Sequence, residues 1–353
     1  MATVVTPGFW RGRRVFLTGH TGFKGSWLAL WLGHLGAEVT GYAVDVPTTP
    51  SLYEAARVGD GILSVTGDVR DLEALAAAMR GSSPDIVFHM AAQSLVRRSY
   101  DEPVETFATN VMGTVNVIEA ARGLDSLRGI VVVTSDKCYR PAERAHSEDD
   151  PLGGGDPYSA SKAGAELVTD AYRQSFFTTA GPGLAAVRAG NVIGGGDWAR
   201  DRLVPDLMRA ALEGTTAVVR NPDYVRPWQH VLGPLGGYLV LAERLSRDRA
   251  LATAWNFGPA EEARPVRWLV DALIARWPTA ISTRFGDGEG GGREAAALRL
   301  DSSRARDRLG WRPAWSLERA LDATVEWYRA FAAGEDVRSL ALEQIAQYEA
   351  DLQ

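Results

Sequence analysis

The chain predicts an α/β fold: a doubly wound parallel sheet followed by a smaller C-terminal domain. Three observations carry that expectation. Apolar, β-branched runs alternate with helical periodicity through residues 1–190. A glycine-rich turn joins the first such run to the first helix. Past residue 190 the alternation gives way to arginine-rich sequence punctuated by Pro and Gly. The expected boundaries are therefore 1–190 for the large domain and 191–353 for the smaller one, with segments near 228–258 returning to the first. With 353 residues, 46% of them hydrophobic and 23% charged, the chain suffices for one large domain or two unequal ones. A net charge of -6 argues against general nucleic-acid affinity, which needs a basic face. The single cysteine, Cys138, closes no internal disulfide and suits a reducing compartment. No apolar run is long enough to span a bilayer, and Met1 to Trp10 lacks the basic-then-apolar order of a signal peptide. A cytoplasmic protein is expected, with no nucleic-acid or membrane partner; no metal ligands are assigned.

The first strand is Val15 to Leu17. Gly19, Gly22 and Gly25 follow it, and Leu28, Trp31, Leu32 and Leu35 then recur at helical spacing, which predicts an amphipathic helix. Strand, glycine turn and helix make a phosphate cradle, because glycines admit a pyrophosphate to the backbone and the helix N-terminus supplies N–H groups. The spacing is G-x-x-G-x-x-G rather than the commoner G-x-G-x-x-G. Gly19, Gly22, Phe23, Lys24 and Gly25 are the candidate dinucleotide loop. A second strand, Glu38 to Val44, ends at Asp45, 20 residues past Gly25. That is the distance at which an acid meets the adenosine ribose hydroxyls, and its charge would repel a 2′-phosphate, so NAD is favoured over NADP. A third strand, Ile62 to Val65, leads to Asp68 and Val69, a turn that faces the adenine. A fourth, Asp85 to Met90, runs into Ala91, Ala92 and Gln93, whose small residues leave space for the cofactor. Phe107 to Arg122 reads as a helix carrying Asn110, a further cofactor candidate.

The fifth strand begins at Ile130 and turns polar at Thr134, Ser135, Asp136 and Lys137. In an open α/β sheet ligands bind outside the carboxyl ends of the strands, and an acid beside a base there is placed for proton transfer. Alone, the same residues describe a solvated loop with an incidental ion pair. After a polar loop, Tyr158 opens a helix with Lys162 four residues on, so the two share one face. A sixth strand, Ala185 to Arg188, runs into Asn191. Arg188, Arg200, Arg202, Arg220 and Arg226 then crowd an irregular stretch, and arginine suits a bidentate grip on a diphosphate. A helix from Leu235 to Leu245 and a strand at Trp255 to Phe257 return to the sheet. The run from Gly286 to Gly292 reads as a mobile connection, and Asp301 to Gly310, Leu317 to Phe331 and the tail to Gln353 as helices.

The chemistry follows from these residue types. A tyrosine phenol titrates near 10, and the Lys162 ammonium together with a positive nicotinamide is expected to lower that value. Tyr158 then takes a proton from a sugar hydroxyl as hydride leaves the carbon, with Ser135 or Thr134 holding the same oxygen. Those parts alone describe a dehydrogenase or an epimerase. Asp136 and Lys137 go further: once C4 of a hexose is a ketone, its C5 proton is acidic. Lys137 as base at C5 and Asp136 as acid at the C6 hydroxyl would expel water, and the hydride would return to C6.

On these motifs the chain resembles the extended short-chain dehydrogenase/reductases, and within them the CDP-glucose 4,6-dehydratases. The resemblance runs through nearly the whole length. It rests on the stretches 18 to 27, 134 to 139 (Thr-Ser-Asp-Lys-Cys-Tyr), 151 to 154, 156 to 162, 188 to 198 (Arg-Ala-Gly-Asn-Val-Ile-Gly-Gly-Gly-Asp-Trp) and 226 to 232 (Arg-Pro-Trp-Gln-His-Val-Leu). It implies a Rossmann-type domain holding NAD, a smaller C-terminal domain for the sugar nucleotide, and conversion of CDP-glucose to its 4-keto-6-deoxy derivative. Ser135, Asp136, Lys137, Tyr158 and Lys162 fall on the family's catalytic motif. Asn191, Arg202 and Arg226 fall on its substrate-binding region. A homodimer or homotetramer is expected by analogy. The thymidine-diphosphate-glucose dehydratases look similar but carry glutamate where this chain has Lys137. Those acting on UDP-N-acetylglucosamine share the aspartate–lysine pair, so the pair does not choose the base. Two departures bear on substrate choice: Gly233 before Pro234, where the family suggests an acid, and Arg293 before Glu294, where it suggests histidine. A dehydratase for another nucleotide sugar, a C4 epimerase and a non-catalytic NAD-sensing protein remain as alternatives.

Overall fold

Seven short runs form one parallel sheet: Arg14–Thr18 (β1), Glu38–Ala43 (β2), Leu63–Thr66 (β3), Ile86–His89 (β4), Gly129–Val133 (β5), Gly183–Ala189 (β6) and Ala254–Phe257 (β7). Their order across the sheet is β7-β6-β5-β4-β1-β2-β3, with every pairing parallel. The chain is thus wound outward in two directions from the β1–β4 pair, the doubly wound fold the sequence predicts. The computed structural model describes residues 5–178, 181–286 and 297–352. Most of the glycine run and Arg293 lie outside the described residues.

The central strands are apolar on both faces because both are covered. Leu17, Phe88, Val131 and Ala185 lie in register across β1, β4, β5 and β6, and all are buried. On one face pack helix Phe23–His34 (α1) and, further along the chain, helices over residues 232–245, 317–332 and 337–351. On the other pack Leu72–Ser82 (α2) and Gly113–Ala121 (α3), through Leu75, Met79, Val117 and Ile118. Register also brings Thr18, His89 and Val132 level. The residues after them therefore share one edge of the sheet, at the point where the winding reverses.

Two sequence expectations change. Helix α1 is not amphipathic: every residue from Gly25 to Leu32 is buried. The C-terminal helix covers the side that would otherwise face solvent, and the Trp31 indole donates to Glu349 Oε1 at 2.6 Å. Second, Phe107 to Arg122 is not one regular helix. A helix over Pro103–Phe107 passes through a π-type turn, Ala108–Met112, before α3 begins.

The helix carrying Tyr158 is Pro157–Ser175 (α4). Asp156 caps it, accepting from Ser159 N at 2.9 Å and Ser159 Oγ at 2.6 Å, with Pro157 at the first position. That cap fixes where the helix begins and so where Tyr158 points. Beyond β6 the arginine-rich stretch is less irregular than its punctuation suggests. It holds helix Leu203–Glu213 (α5), with Val204, Leu207 and Met208 buried, and a parallel strand pair, Thr216–Val219 with Ser282–Phe285. Helix Leu232–Leu245 (α6) returns to the sheet, and Leu317–Ala332 (α7) and Val337–Asp351 (α8) close the chain. No described helix is long and apolar enough to cross a membrane.

Candidate active site

One cavity of about 1610 Å³ runs along the carboxyl edge of the sheet. That exceeds the range of a single drug-sized ligand site, roughly 300–1,000 Å³, and gives room for a dinucleotide beside a sugar nucleotide. Its two ends are built differently.

The first end is the glycine loop. Gly19 has a positive φ of 75°, and a Cβ there would meet Ala91 N at 2.7 Å. A Cβ on Gly25 would meet Gly19 O at 2.1 Å. Loop and helix can approach this closely only without side chains, which leaves the first turn of α1 open to an anion. Phe23, Asp45, Asp68, Val69, Ala91, Ala92 and Gln93 all line this part of the cavity. The loop tip is tied to the second strand by Thr21 Oγ1 donating to Asp45 O at 2.6 Å. Arg70 holds the Asp68 carboxylate below its usual range by donating to both of its oxygens, with Arg70 Nε 3.0 Å from Oδ1 and 2.9 Å from Oδ2. The cradle has the shape and donors that NAD needs. Asn110 acts one step back. Its amide accepts from Gln93 N at 2.9 Å and donates to Gln93 O at 2.9 Å and to Ser161 Oγ at 2.8 Å. It clamps the β4 loop to the catalytic helix rather than facing the cavity. The Gln93 amide likewise turns inward, to Leu95 and Thr106.

Lys24 lines the cavity beside the loop while its ammonium is held from behind. Its ammonium donates to Tyr238 OH on α6 at 3.1 Å. Burial, then the Lys162 and Arg202 charges, lower its pKa to about 7, against a pull upward from Asp136.

At the centre, β5 ends in a short turn, Asp136–Cys138, capped by Ser135. Ser135, Asp136, Lys137, Tyr158 and Lys162 converge on the cavity wall. Ser135 Oγ accepts from Lys137 N at 3.2 Å and donates to Asp136 Oδ1 at 3.1 Å. Asp136 Oδ2 is buried with no hydrogen-bond partner among the described residues, an arrangement that leaves one carboxylate oxygen without protein contacts. The Lys137 side chain lines the same wall. Lys162 Nζ donates to Val133 O at 3.3 Å, and burial lowers its pKa to about 8.

The Tyr158 phenol differs from expectation. Burial pushes it up to about 12, and the groups that draw it back are the Ser135 hydroxyl and the Arg202 guanidinium rather than Lys162. Of the two hydroxyls considered for holding the sugar oxygen, that of Thr134 is already engaged: it donates to Glu166 Oε1 and lies 3.2 Å from Val187 O, although the residue itself lines the cavity.

Glu166 is what sequence reading missed. It forms a two-pronged buried pair with Arg188, at 2.8 Å from both Nε and Nη2. Arg188 Nη1 continues to Tyr139 OH at 2.6 Å and Glu148 O at 2.9 Å. This network braces the catalytic loop from behind, so Arg188 is not available to a diphosphate. Spacing held the clue: Tyr158, Lys162 and Glu166 follow one another at four-residue steps.

The other end of the cavity carries Asn191, Arg200, Arg202, Arg220 and Arg226. Arg202 donates to Asp197 Oδ2 at 3.0 Å and Ser94 Oγ at 2.8 Å, which places it between the β4 loop and the tract after β6. Arg226 is 4% exposed and lies over the Tyr224 ring, 5.0 Å from its centroid. Gly195 lets the tract fold tightly, since a Cβ there would strike Trp327 at 2.0 Å.

Residues 16–253 match the family model described as GDP-mannose 4,6 dehydratase. Over 354 aligned residues the chain is 49% identical to a CDP-glucose 4,6-dehydratase of Salmonella typhimurium, covering 98% of each protein. The chain belongs to the nucleotide-sugar 4,6-dehydratase family. Among solved structures, MoeE5 in complex with UDP-glucuronic acid and NAD is 26% identical with a TM-score of 0.76, covering 90% of this chain and 99% of that one. A UDP-glucose-4-epimerase from Stenotrophomonas maltophila, with bound NAD and formylated UDP-arabinopyranose, has a TM-score of 0.79 at 23% identity, covering 91% and 99%. The latter is a likeness of fold.

Proposed function

We propose that the protein dehydrates CDP-glucose to CDP-4-keto-6-deoxyglucose. One observation carries the reading: an acid with an unpartnered buried oxygen and a lysine lie beside a Ser135–Tyr158 pair on one cavity wall. NAD, when bound in the glycine cradle, supplies the chemistry of taking hydride from C4 and returning it to C6. Tyr158 accepts the proton of the C4 hydroxyl while Ser135 holds that oxygen. Lys162 orients the cofactor ribose and Gly19, Gly22, Gly25, Asp45, Asp68, Val69, Ala91 and Ala92 form its walls. Lys137 removes the C5 proton, Asp136 protonates the departing C6 hydroxyl, and Lys137 gives the proton back to C5. Asn191, Arg202 and Arg226 hold the sugar nucleotide. The reading divides the chain into a cofactor domain over 1–190, joined by segments near 228–258, and a sugar-nucleotide domain over the remainder of 191–353. CDP as the nucleotide is supported by the 49% identical relative.

The reading extends to a homodimer or homotetramer. Val104, Phe107, Met112 and Leu167 are exposed apolar residues on three adjacent helical segments, a patch suited to burial against a second copy. Buried, unpaired Cys138 fits a cytoplasmic setting. The test is incubation with CDP-glucose, UDP-glucose and thymidine-diphosphate-glucose in parallel, followed by mass. Loss of one water from CDP-glucose alone is expected. Water loss only from another nucleotide refutes the CDP assignment, and an epimer of unchanged mass refutes dehydration.

A further inference from the structure

The groups assigned to the reaction stand on two separate pieces of chain. Tyr158 and Lys162 belong to α4, whereas Ser135, Asp136 and Lys137 belong to the turn that ends β5. Proton transfer needs the two pieces in register, since a misplacement of about 1 Å can cost roughly 100-fold. The helix is set by its own cap, Asp156 on Ser159. Asp136 has no such support. Its Oδ1 accepts from Ser135 of the same turn, and its Oδ2 has no partner among the described residues. The acid is therefore only as well placed as the turn itself.

Both flanks of that turn hang on one ion pair. In front, Thr134 Oγ1 donates to Glu166 Oε1. Behind, Arg188 Nη1 donates to Tyr139 OH at 2.6 Å, and its guanidinium lies over the Tyr139 ring, 4.8 Å from the centroid. Glu166 and Arg188 meet at 2.8 Å through both carboxylate oxygens, and each is 3% exposed. Glu166 stands on α4 one helical step past Lys162, whose ammonium donates to Val133 O at 3.3 Å. The helix that carries Tyr158 thus grips the front of the turn at Val133 and Thr134, and through Arg188 it reaches the rear. The rear has other ties, from Gly153 N to Cys138 O at 2.8 Å and from Tyr139 OH to Asn256 Oδ1 at 2.7 Å. Those come from outside α4 and do not set the turn against it. A buried ion pair adds little stability over apolar residues of like volume. What it adds here is direction, because a planar guanidinium and a carboxylate fix each other in angle as well as distance.

We propose that Glu166 and Arg188 are positioning residues for the elimination step. They hold the turn in register with α4, so that Asp136 and Lys137 reach C6 and C5 of a sugar whose C4 oxygen is already held at Tyr158. Oxidation depends on them less. It uses Tyr158, which α4 carries, and Ser135, which adjoins the front anchor. Asp136 and Lys137 lie between the two anchors and need both. The inference rests on the proposed function and deepens it, by naming residues outside the cavity that decide whether the oxidised sugar goes on to lose water.

The experiment is a single turnover of the cofactor-loaded enzyme with CDP-glucose, reading reduced nicotinamide by absorbance and product by mass. Removing one partner alone would strand a buried charge and endanger the fold. The variant is therefore the double exchange Glu166→Met with Arg188→Met, which replaces the pair by apolar side chains. Tyr139→Phe is the second variant; it leaves the pair intact, cuts only the rear anchor and lies outside the cavity lining. In the double variant elimination is expected to slow on the order of 100-fold and oxidation far less, so reduced nicotinamide peaks higher than in the wild type and decays with the late appearance of product. Tyr139→Phe should show the same shift, smaller. A general loosening of the fold slows both steps alike and leaves the peak unchanged. A wild-type peak in the folded double variant overturns the proposal; if that variant does not fold, a wild-type peak in Tyr139→Phe overturns it. A wild type that yields no product lighter by one water refutes the function itself, a separate outcome.

Discussion

The two ends of the cavity were assembled on different plans. The heart of the cofactor end is made by consecutive chain: a strand, a glycine turn and the first turn of a helix, all within residues 14–25, to which the ends of the neighbouring strands add Asp45, Asp68 and Ala91. Its geometry is dictated by local sterics, since a Cβ at Gly25 would lie 2.1 Å from Gly19 O. The sugar end is made by distant pieces. Arg202 of α5's N-terminus is fixed by Ser94 from the β4 loop and by Asp197. Arg226 lies in a two-residue strand paired with Arg264–Pro265. A contiguous motif tolerates almost no substitution, whereas a grip assembled from several arms weakens in steps.

The largest effect should therefore come from the cofactor end. Gly25→Ala puts the new Cβ 2.1 Å from the backbone oxygen of Gly19. The variant is expected to lose NAD affinity by more than about 100-fold, equivalent to roughly 2.7 kcal/mol, while a thermal melt shows it folded. Titration of nicotinamide binding checks this; near-normal affinity would mean that the loop adjusts and that the contrast between the two ends is false. Next come the residues at the seam. Asp136→Asn and Lys137→Ala are expected to retain oxidation and lose elimination by about 100- to 10,000-fold. Reduced nicotinamide then accumulates without a product lighter by one water. Equal loss of both steps would return Asp136 and Lys137 to the role of packing.

How far each end could be read from sequence follows the same division. Gly19, Gly22, Gly25 and Asp45 were readable because spacing along one strand–turn–helix unit determines position in space. Tyr158 and Lys162 were readable because four residues are one helical turn. Arg188 was misread as a diphosphate ligand because nothing local distinguishes it from Arg202. Only its register on β6, opposite Asn256 of β7 and within reach of Glu166, turns it inward. The amphipathic reading of α1 failed for a related reason. Its outer face is covered by α8, which lies about 300 residues later in sequence and which no local period can announce. The source of control over Tyr158 was hidden too, since it comes from Ser135 and Arg202 on other segments.

At the sugar end, Arg202→Ala removes one arm of several. A KM for the sugar nucleotide raised about 10- to 100-fold is expected, corresponding to the roughly 1.5–3 kcal/mol of a charged hydrogen bond, with NAD affinity unchanged. The rate should also need higher pH, because the guanidinium is one of the two groups that hold the Tyr158 phenol down against burial. Steady-state kinetics across pH checks both effects. A change in NAD affinity of similar size would erase the distinction between the ends.

The last effect bears on stability rather than on the reaction, and reaches both ends through buried histidines. Burial lowers the pKa of His20 to about 4 and that of His89 to about 3 at the cofactor end, and that of His230, beneath the tract after β6, to about 3. His89 bridges Thr18 Oγ1 at 2.8 Å and Thr114 Oγ1 at 3.1 Å, directly under the glycine loop. In the unfolded chain each titrates near 6.5. The folded values are depressed, so below pH 6.5 the unfolded chain binds protons that the folded one refuses, and stability falls as pH falls. At pH 5 each contributes a loss of about 2 kcal/mol at most, since one pKa unit is about 1.36 kcal/mol. The thermal midpoint should drop between pH 7 and pH 5. In His89→Asn the midpoint should start lower but fall less over the same interval, because one of the refusing sites is gone. An equal fall in variant and wild type would assign the acid sensitivity to carboxylates instead. If His89 is responsible, cofactor should protect it: NAD bound over the loop stabilises the folded state by mass action, and the pH at which the protein melts should move down as cofactor is added.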